Sequence, residues 1–340
     1  MKQLELGVSE EARRVHAASP VIDLHCDLLL TTRFLGWQWG RRHAPNRLPG
    51  APLFGHVDLP RLREGNVCAM ALGIVVDPLA PRRAPLAVAA NLARMRAEIA
   101  RAPEELAFAG DAEAVRAARG QGRIAVFGAL EGAHGLGGRI EELGWMREAG
   151  LRAVGFAHFT ANPACRPQVG WGASNTAPLS PWGHALVEAC DYFGLVVDLA
   201  HVGRRAALDA CGRATRPVMV SHTGCAAVHA SVRAVDDDVL RAVARTDGVV
   251  GTMFVSPIIG AGGAAQVARH LDHIRATVGV RHAAVGTDWE GFATYPADLR
   301  SADQLVNLTE ALLRIGWSDE EIRAVYAENF LRVYEGAGER

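Results

Sequence analysis

The stretch Val21-Ile22-Asp23-Leu24-His25-Cys26-Asp27 decides how this chain is interpreted. It is an apolar run that ends in an imidazole and a carboxylate. At the two-residue period of a β-strand, His25 and Asp27 project to the same face. A strand that ends this way is a poor core strand, because buried charges are costly unless they are paired or bind a metal. It predicts one half of a metal site.

Apolar segments recur along the whole chain, and helical segments separate them. The predicted strands are Val21–Asp27, Val67–Val76, Ile124–Leu130, Leu151–Ala157, Leu195–Ala200, Pro217–Ser221, Val249–Val255 and Ala283–Thr287. This alternation predicts an α/β fold with a parallel sheet, and eight strands favour a closed (β/α)8 TIM-type barrel in one domain over residues 1–340. An open doubly wound sheet is the alternative, but no glycine fingerprint follows the first strand. Residues 31–60 and 160–181 are predicted as long loops, a type that often forms lids.

The composition fits a globular protein that acts on small molecules. The chain has 340 residues, of which 49% are hydrophobic and 21% charged, and its formal net charge is −1. It has no basic run with interleaved aromatic residues, so nucleic acid is not an expected partner. It also lacks a signal-peptide core and a bilayer-length apolar run, so we expect a cytoplasmic protein without membrane contact. Six scattered cysteines fit buried thiols in a reducing compartment.

Side chains that can carry chemistry lie at the ends of most predicted strands. They are His25, Asp27, Glu131, His158, His201, His222 and Asp288. The carboxyl ends of all strands in a (β/α)8 barrel meet at one mouth, so these residues would form one cluster. A single histidine is more often a satisfied structural residue, but a set placed in this way is hard to explain as core. Imidazole and carboxylate ligands suit divalent metals, zinc first, and the set is large enough for two ions.

The scarcity of lysine limits how two ions could be bridged. Of the 36 basic residues, all but Lys2 are arginine, so an interior carboxylated lysine is excluded and Glu131 becomes the natural bridge. Two ions about 3.5–4 Å apart would share a water whose pKa falls towards roughly 7, which makes hydroxide available. Attack on an amide carbonyl then needs a base and an oxyanion donor. Asp288 and His158 are suitably placed for these roles.

With these residues, the chain resembles the renal, or membrane, dipeptidase family of zinc peptidases, which belongs to the amidohydrolase-like barrels. The resemblance rests on short motifs that occur in the family's order. They are Ile22-Asp23-Leu24-His25-Cys26-Asp27, Leu130-Glu131-Gly132-Ala133-His134, Gly150-Leu151-Arg152 through His158, Asp198-Leu199-Ala200-His201-Val202, Val220-Ser221-His222-Thr223, Gly286-Thr287-Asp288-Trp289-Glu290-Gly291 and Glu328-Asn329-Phe330-Leu331-Arg332-Val333. Each motif is weak alone, and their number and order make the resemblance specific.

The resemblance implies a metal-ligand set and a role for each substrate-binding residue. One zinc ion would be held by His25, Asp27 and Glu131, and a second by Glu131, His201 and His222. His158 would contact the substrate carbonyl and its developing oxyanion, and Asp288 would hold the bridging water and move its proton. Arg233 would bind the terminal carboxylate of a dipeptide, which suits a guanidinium because it can form two parallel hydrogen bonds. The resemblance also implies a homodimer.

The chain departs from the family pattern around the substrate pocket. Ala234 stands where an asparagine is usual, and Glu290 stands where a second aspartate is usual. The loop after His158 carries Arg166, which could add a cation or point outward. None of these changes removes a metal ligand.

The leading interpretation is a binuclear zinc dipeptidase that uses a metal-bridging hydroxide. One alternative is a related zinc amidohydrolase acting on N-acyl amino acids, lactones or β-lactams. Another is a catalytically idle homologue with a maturation or binding role. This last alternative predicts missing ligands, whereas every ligand position is filled.

Overall fold

A parallel barrel is the centre of the fold in the computed structural model, which describes residues 7–44 and 53–338. The strands are β1 (Val21–Cys26), β2 (Val67–Ile74), β3 (Leu106–Phe108), β4 (Ile124–Leu130), β5 (Leu151–Gly155), β6 (Val196–Asp198), β7 (Met219–Cys225), β8 (Ala234–Val235), β9 (Val249–Thr252) and β10 (Ala283–Val285). The barrel order is β1-β2-β4-β5-β6-β7-β9-β10, and every pair along it is parallel. The predicted (β/α)8 fold is therefore confirmed.

Backbone hydrogen bonds join the end of the first strand to the segment that follows the last strand, and they close the barrel there. The Asp288 N–H donates to the His25 carbonyl at 3.0 Å, and the Asp27 N–H donates to the Trp289 carbonyl at 2.8 Å. Closure therefore takes place at the carboxyl end of the barrel, where the predicted site residues lie. It ties the His25 motif directly to the Asp288 motif.

Helices surround the strands. They are α1 (Glu10–Ala18), α2 (Leu28–Leu35), α3 (Leu59–Glu64), α4 (Ala84–Arg101), α5 (Ala112–Gly120), α6 (Glu142–Ala149), α7 (Pro181–Phe193), α8 (Arg204–Arg213), α9 (Asp237–Arg245), α10 (Ser256–Ile259), α11 (Ala264–Val278), α12 (Val306–Arg314), α13 (Asp319–Arg323) and α14 (Asn329–Ala337). A π-helical turn over Ala324–Glu328 joins α13 to α14. Among the described residues, no helix has both the length and the apolar character needed to cross a bilayer.

Two details of the sequence-based strand and loop assignment are wrong. The predicted loop over residues 31–60 begins inside α2, because Leu28, Leu29, Thr31 and Thr32 form a buried helical face directly after the first strand. Part of this predicted loop, residues 45–52, lies outside the described residues. The two-residue strand β8 and the three-residue strand β3 were not predicted, since such short pairings leave no periodic pattern.

The first strand has an irregular register next to its candidate metal ligand, His25. The register of β1 against β2 shifts between Asp23 and Cys26, in the segment that carries His25. Such irregularities re-aim a side chain at the end of a strand. Behind the site, α14 packs on the barrel strands, with the Tyr334 ring 5.1 Å from that of Phe127.

Candidate metal centre

The seven site residues predicted at strand ends all lie at the carboxyl end of the barrel. His25 lies in β1, Asp27 follows β1, Glu131 follows β4, His158 and His201 come three residues after β5 and β6, His222 lies in β7, and Asp288 comes three residues after β10. Because parallel strands present their carboxyl ends to one mouth, residues from six strands meet there.

The carboxylate of Glu131 is at the centre of four imidazoles. Its Oε1 atom lies 3.0 Å from Nε2 of His201 and 3.5 Å from Nε2 of His158. The Nε2 atoms of His25 and His222 lie 3.6 and 3.7 Å from the same oxygen. Glu131 is therefore the only one of the predicted ligands with all four imidazoles within 4 Å of one oxygen in the described part of the chain, as a bridging ligand would require.

Several ligand atoms at the site lack a hydrogen-bond partner within the described residues. These buried atoms are both ring nitrogens of His25, Oδ1 of Asp27, Oε2 of Glu131 and Nδ1 of His201. Buried polar atoms are normally hydrogen-bonded, so such a group of unpaired nitrogen and oxygen atoms calls for a ligand. Imidazole nitrogens and carboxylate oxygens are the donors that divalent transition metals bind, and the residues therefore fit a metal site.

The spacing of these atoms defines three groups that could each hold an ion. Within each group, the ligand atoms lie within 4.8 Å of one another. The groups are His25, Asp27 and Glu131; Glu131, His158 and His201; and His25, His222 and Asp288. The first is the set predicted for one ion. The second predicted set is also close-packed, since Nε2 of His222 lies 2.9 Å from Nε2 of His201, but His158 and Asp288 are near enough to take part.

Electrostatics at the site favour an ionised Glu131 and a protonated Asp288 in the protein alone. Burial opposes ionisation of Glu131, but the charges of His158 and His25 and the contact with His201 hold its pKa well below the usual range. Burial raises the pKa of Asp288 to about 8. The charge of His25 opposes this shift, the carboxylates of Asp27 and Glu131 add to it, and Arg233 opposes it. Two carboxylates with pKa values pushed apart are typical of sites where one holds charge and the other moves a proton.

The imidazoles are also divided by their surroundings. Burial lowers the pKa of His201 and His222, and the positive charge of Arg233 lowers both further. For His25, burial acts in the same direction, but the carboxylates of Glu131 and Asp27 outweigh it and raise its pKa. A neutral imidazole has a free nitrogen lone pair, so the low pKa of His201 and His222 favours metal binding.

Buried carboxylates behind the ligands fix the strand ends. The Asp23 carboxylate accepts hydrogen bonds from the backbone N–H of Thr287 at 2.8 Å and from its hydroxyl at 2.6 Å, which ties β1 to β10. The Asp198 carboxylate accepts from the Ser221 N–H at 2.9 Å, which ties β6 to β7. Partners of this kind orient ligands and are as much part of a metal site as the ligands themselves.

Backbone conformation at the site is unusual in two places. His201 and Asp288 have positive φ angles of 65° and 61°, which residues with a Cβ atom seldom adopt. Such conformations persist where the surrounding structure imposes them, often at functional sites. Gly73 in β2 makes room for a site residue, because a Cβ atom at this position would lie 2.2 Å from Oδ1 of Asp27. A glycine inside an apolar strand is the sequence signal from which this close approach of the Asp27 side chain to β2 could have been predicted.

Comparison with known proteins assigns the chain to a family. Residues 9–339 match the family described as membrane dipeptidase, peptidase family M19. The chain belongs to the membrane dipeptidase family. The predicted family resemblance is therefore confirmed, and the protein is a metal-dependent hydrolase of the dipeptidase type.

Solved structures share the fold of this family member at low sequence identity. A probable dipeptidase, PvdM, from Pseudomonas aeruginosa is 16% identical with a TM-score of 0.83, over 96% of this chain and 98% of that one. A metallo peptidase from Rhodobacter sphaeroides, liganded with a phosphinate mimic of the dipeptide L-Ala-D-Ala, is 23% identical with a TM-score of 0.82, over 94% and 99%. An amidohydrolase from P. aeruginosa is 20% identical with a TM-score of 0.78, over 96% and 98%.

Arg233 of this dipeptidase-family chain lies beside the candidate metal centre. It precedes β8, which pairs with the end of β7, and only 6% of it is exposed. Nη1 donates to Oε1 of Gln168 at 3.1 Å, whereas Nη2 is buried without a hydrogen-bond partner in the described residues. Arg233 was expected here from the sequence, whereas Gln168 was not, because a lone glutamine in a long loop carries no pattern.

Two departures from the family pattern have clear places in the structure. Glu290 is fully buried, and its carboxylate accepts backbone hydrogen bonds from Gly55, His56 and Val57. It therefore fastens the segment after residue 52 to the barrel mouth. Arg166 is exposed, and its Nη1 donates to the Gly172 carbonyl at 3.1 Å within its own loop. Of the two roles considered for Arg166, the outward-pointing one agrees with this contact.

Proposed function

We propose that this protein is a binuclear zinc dipeptidase that hydrolyses dipeptides with a free C-terminal carboxylate. The observation that carries the proposal is the position of Glu131, one of whose oxygens lies within 3.7 Å of four imidazoles. Next to this cluster lies the buried guanidinium of Arg233, one of whose nitrogens has no hydrogen-bond partner within residues 7–44 and 53–338. A metal cluster beside an anion-binding group suits a short substrate that ends soon after the scissile bond.

The proposed ligands are those that the family resemblance implies. His25, Asp27 and Glu131 would hold one zinc ion, and Glu131, His201 and His222 the other. When bound, two such ions would acidify a water molecule and polarise the scissile carbonyl. The unpaired ligand atoms of His25, Asp27 and Glu131 support this assignment.

Two further residues would move the proton and stabilise the oxyanion. Asp288 lies among the ligands, and its carboxylate would accept the proton of the attacking water and deliver it to the departing amide nitrogen. Burial raises the pKa of Asp288 to about 8 in the protein alone, and the positive charge of bound metal ions would favour the ionised carboxylate that this role requires. His158, 3.5 Å from Glu131, would donate a hydrogen bond to the developing oxyanion.

Arg233 would select the substrate by its terminal charge. Its guanidinium is buried, and Nη2 lacks a partner within the described part of the chain, so a carboxylate bound there would form a charge-assisted hydrogen bond away from bulk water. A substrate extended by one more residue would place an uncharged amide at this position. The expected preference is therefore for dipeptides over longer peptides.

Hydrolysis of a small panel of substrates tests the proposal. The solved neighbour with an L-Ala-D-Ala mimic makes L-Ala-D-Ala and L-Ala-L-Ala the first choices. N-acetyl-alanine, a lactone, a β-lactam and tri-alanine complete the panel, each tested before and after chelation and zinc reconstitution. Zinc-dependent cleavage of a dipeptide, with tri-alanine slower, supports the proposal. Zinc-dependent cleavage of only an N-acyl amino acid, lactone or β-lactam would refute it in favour of another amidohydrolase reaction, and inactivity towards the whole panel would favour a binding role.

A further inference from the structure

We infer that Gln168 is a positioning residue that holds the Arg233 guanidinium in the orientation needed to bind the substrate carboxylate. The inference rests on the proposed function of Arg233 and extends it to the long loop over residues 160–181. Three hydrogen bonds place Gln168 between the candidate metal centre and the carboxylate-binding group.

The side-chain amide of Gln168 is fixed in one orientation. Its Nε2 donates to the Ala234 carbonyl at 2.8 Å, so its Oε1 faces the guanidinium of Arg233 and accepts from Nη1 at 3.1 Å. The opposite amide orientation would place a donor against a donor. The amide of Gln168 therefore binds both the guanidinium of Arg233 and the backbone carbonyl of the next residue, Ala234.

This contact leaves one side of the guanidinium free. A neutral amide takes up Nη1, while Nη2 lies buried without a hydrogen-bond partner among the described residues. A carboxylate in place of the amide would neutralise the guanidinium and compete with an anionic ligand. A neutral acceptor at this position holds the arginine and preserves its charge for the substrate.

The backbone of Gln168 reaches the metal centre. Its N–H donates to the His201 carbonyl at 2.6 Å, and the neighbouring Pro167 forms an isolated antiparallel bridge with Val202. His201 is the ligand with a positive φ angle. One residue of the loop thus contacts both a metal-ligand backbone and the carboxylate-binding side chain, which links their relative positions.

A methionine substitution separates the side-chain role from the backbone role. Gln168→Met keeps the length of the side chain and the N–H bond to His201, but removes both amide hydrogen bonds. Gln168→Glu keeps an acceptor for Arg233 and adds a negative charge. Gln266→Met is the matched control, because this buried glutamine of α11 donates to the Ile259 carbonyl of α10 and, among the described residues, has no hydrogen bond to Gln168 or Arg233.

The measurement is the ratio of kcat/KM for L-alanyl-alanine to that for its C-terminal amide, using zinc-loaded full-length protein. We expect this ratio to fall about tenfold in Gln168→Met and further in Gln168→Glu, because KM for the free acid rises. The ratio should be unchanged in Gln266→Met. A crystal structure of Gln168→Met is expected to show the guanidinium displaced and the metal ligands in place.

Two results would overturn the inference. One is an unchanged ratio in Gln168→Met, including an equal loss of kcat for both substrates, which would indicate a structural role only. The other is a crystal structure of this variant in which Arg233 keeps its position. If the wild-type protein cleaves no dipeptide, the proposed function fails, and this crystal structure then decides the positioning role by itself.

Discussion

The Nε2 atoms of His201 and His222 lie 2.9 Å apart at the mouth of the barrel. Burial lowers the pKa of both rings, so both are neutral near physiological pH and each has one nitrogen lone pair. Nδ1 of His222 lies 2.8 Å from the Ser221 hydroxyl, which can accept its proton and direct the Nε2 lone pair into the site. Two imidazole nitrogens this close, with a Glu131 oxygen 3.0 Å from one of them, support the proposal that His201 and His222 bind one cation together.

Removing the charge of Glu131 should empty the metal site. Because its Oε1 atom lies near four imidazoles, Glu131→Gln removes a ligand from both proposed ions at once. We expect metal affinity to fall more than about a hundredfold and bound metal to drop towards zero in elemental analysis. Glu335→Gln, at an exposed ion pair with Arg116, is the control and should keep its metal. A Glu131→Gln protein with full metal content would contradict the bridging role.

The buried carboxylate of Glu290 should stabilise the mouth of the barrel. Glu290→Gln can keep an oxygen towards the N–H groups of His56 and Val57, but its NH2 group then replaces the oxygen that accepts from the Gly55 N–H at 3.2 Å. An unsatisfied buried group of this kind costs about 1–3 kcal/mol in the free energy of unfolding. Urea unfolding measures this loss, and proteolysis near residue 55 should become faster. Equal unfolding midpoints for Glu290→Gln and the wild-type protein would show that these hydrogen bonds contribute nothing.

Acid should destabilise the protein partly through His16, which is remote from the metal centre. Burial lowers the pKa of His16 to about 4, and its Nδ1 lies 2.9 Å from the Thr309 hydroxyl. The unfolded chain therefore binds more protons than the folded one between about pH 6.5 and pH 4, and stability falls as pH falls through this window. The full contribution is about 3 kcal/mol.

A substitution isolates the contribution of His16 to this pH dependence. His16→Gln cannot titrate, so its free energy of unfolding should depend less steeply on pH between 6.5 and 4 than that of the wild-type protein. Denaturant unfolding of chelated samples at several pH values measures both slopes without interference from metal release. Identical slopes for the two proteins would rule out a lowered pKa for His16.

A half-exposed phenylalanine at the mouth should influence substrate choice. Phe159 is 48% exposed, and its ring lies 4.4 Å from that of His158 and 5.1 Å from that of His201. An apolar substrate side chain packed on this ring would leave water, so Phe159→Ala should lose about fivefold in kcat/KM for an apolar dipeptide relative to alanyl-alanine. Tyr192→Ala, an exposed aromatic residue on α7, is the control. Equal losses for both dipeptides would exclude Phe159 from the side-chain pocket.

The barrel and the cluster of side chains at its mouth could be predicted because both follow from the local pattern of apolar and polar residues. Apolar strands alternate with helices, and the ends of parallel strands converge, so Glu131 and His201 were expected together although 70 positions separate them. The contacts of Glu290 and Gln168 could not be predicted in this way. They depend on how two irregular segments fold back on the barrel, and irregular segments have no periodicity from which a partner can be inferred.

The grouping of ligands is the other feature that the sequence left undetermined. Family resemblance assigned His222 to the second ion, while the side-chain positions also bring His158 to Glu131 and Asp288 to His25. The ligand–ligand distances in these sets differ by only a few tenths of an ångström. Such small differences depend on the irregular register of β1 and on the positive φ angles of His201 and Asp288.

Zinc titration of the chelated protein, with hydrolysis of L-Ala-D-Ala measured at each step, tests whether the strand ends hold two catalytic zinc ions. If the strand ends form one binuclear centre, bound zinc saturates at two equivalents per chain, and dipeptide hydrolysis reaches its maximum only as the second equivalent binds. Saturation at one equivalent with full activity would contradict the binuclear assignment. Two bound equivalents without any dipeptide hydrolysis would contradict the assigned reaction.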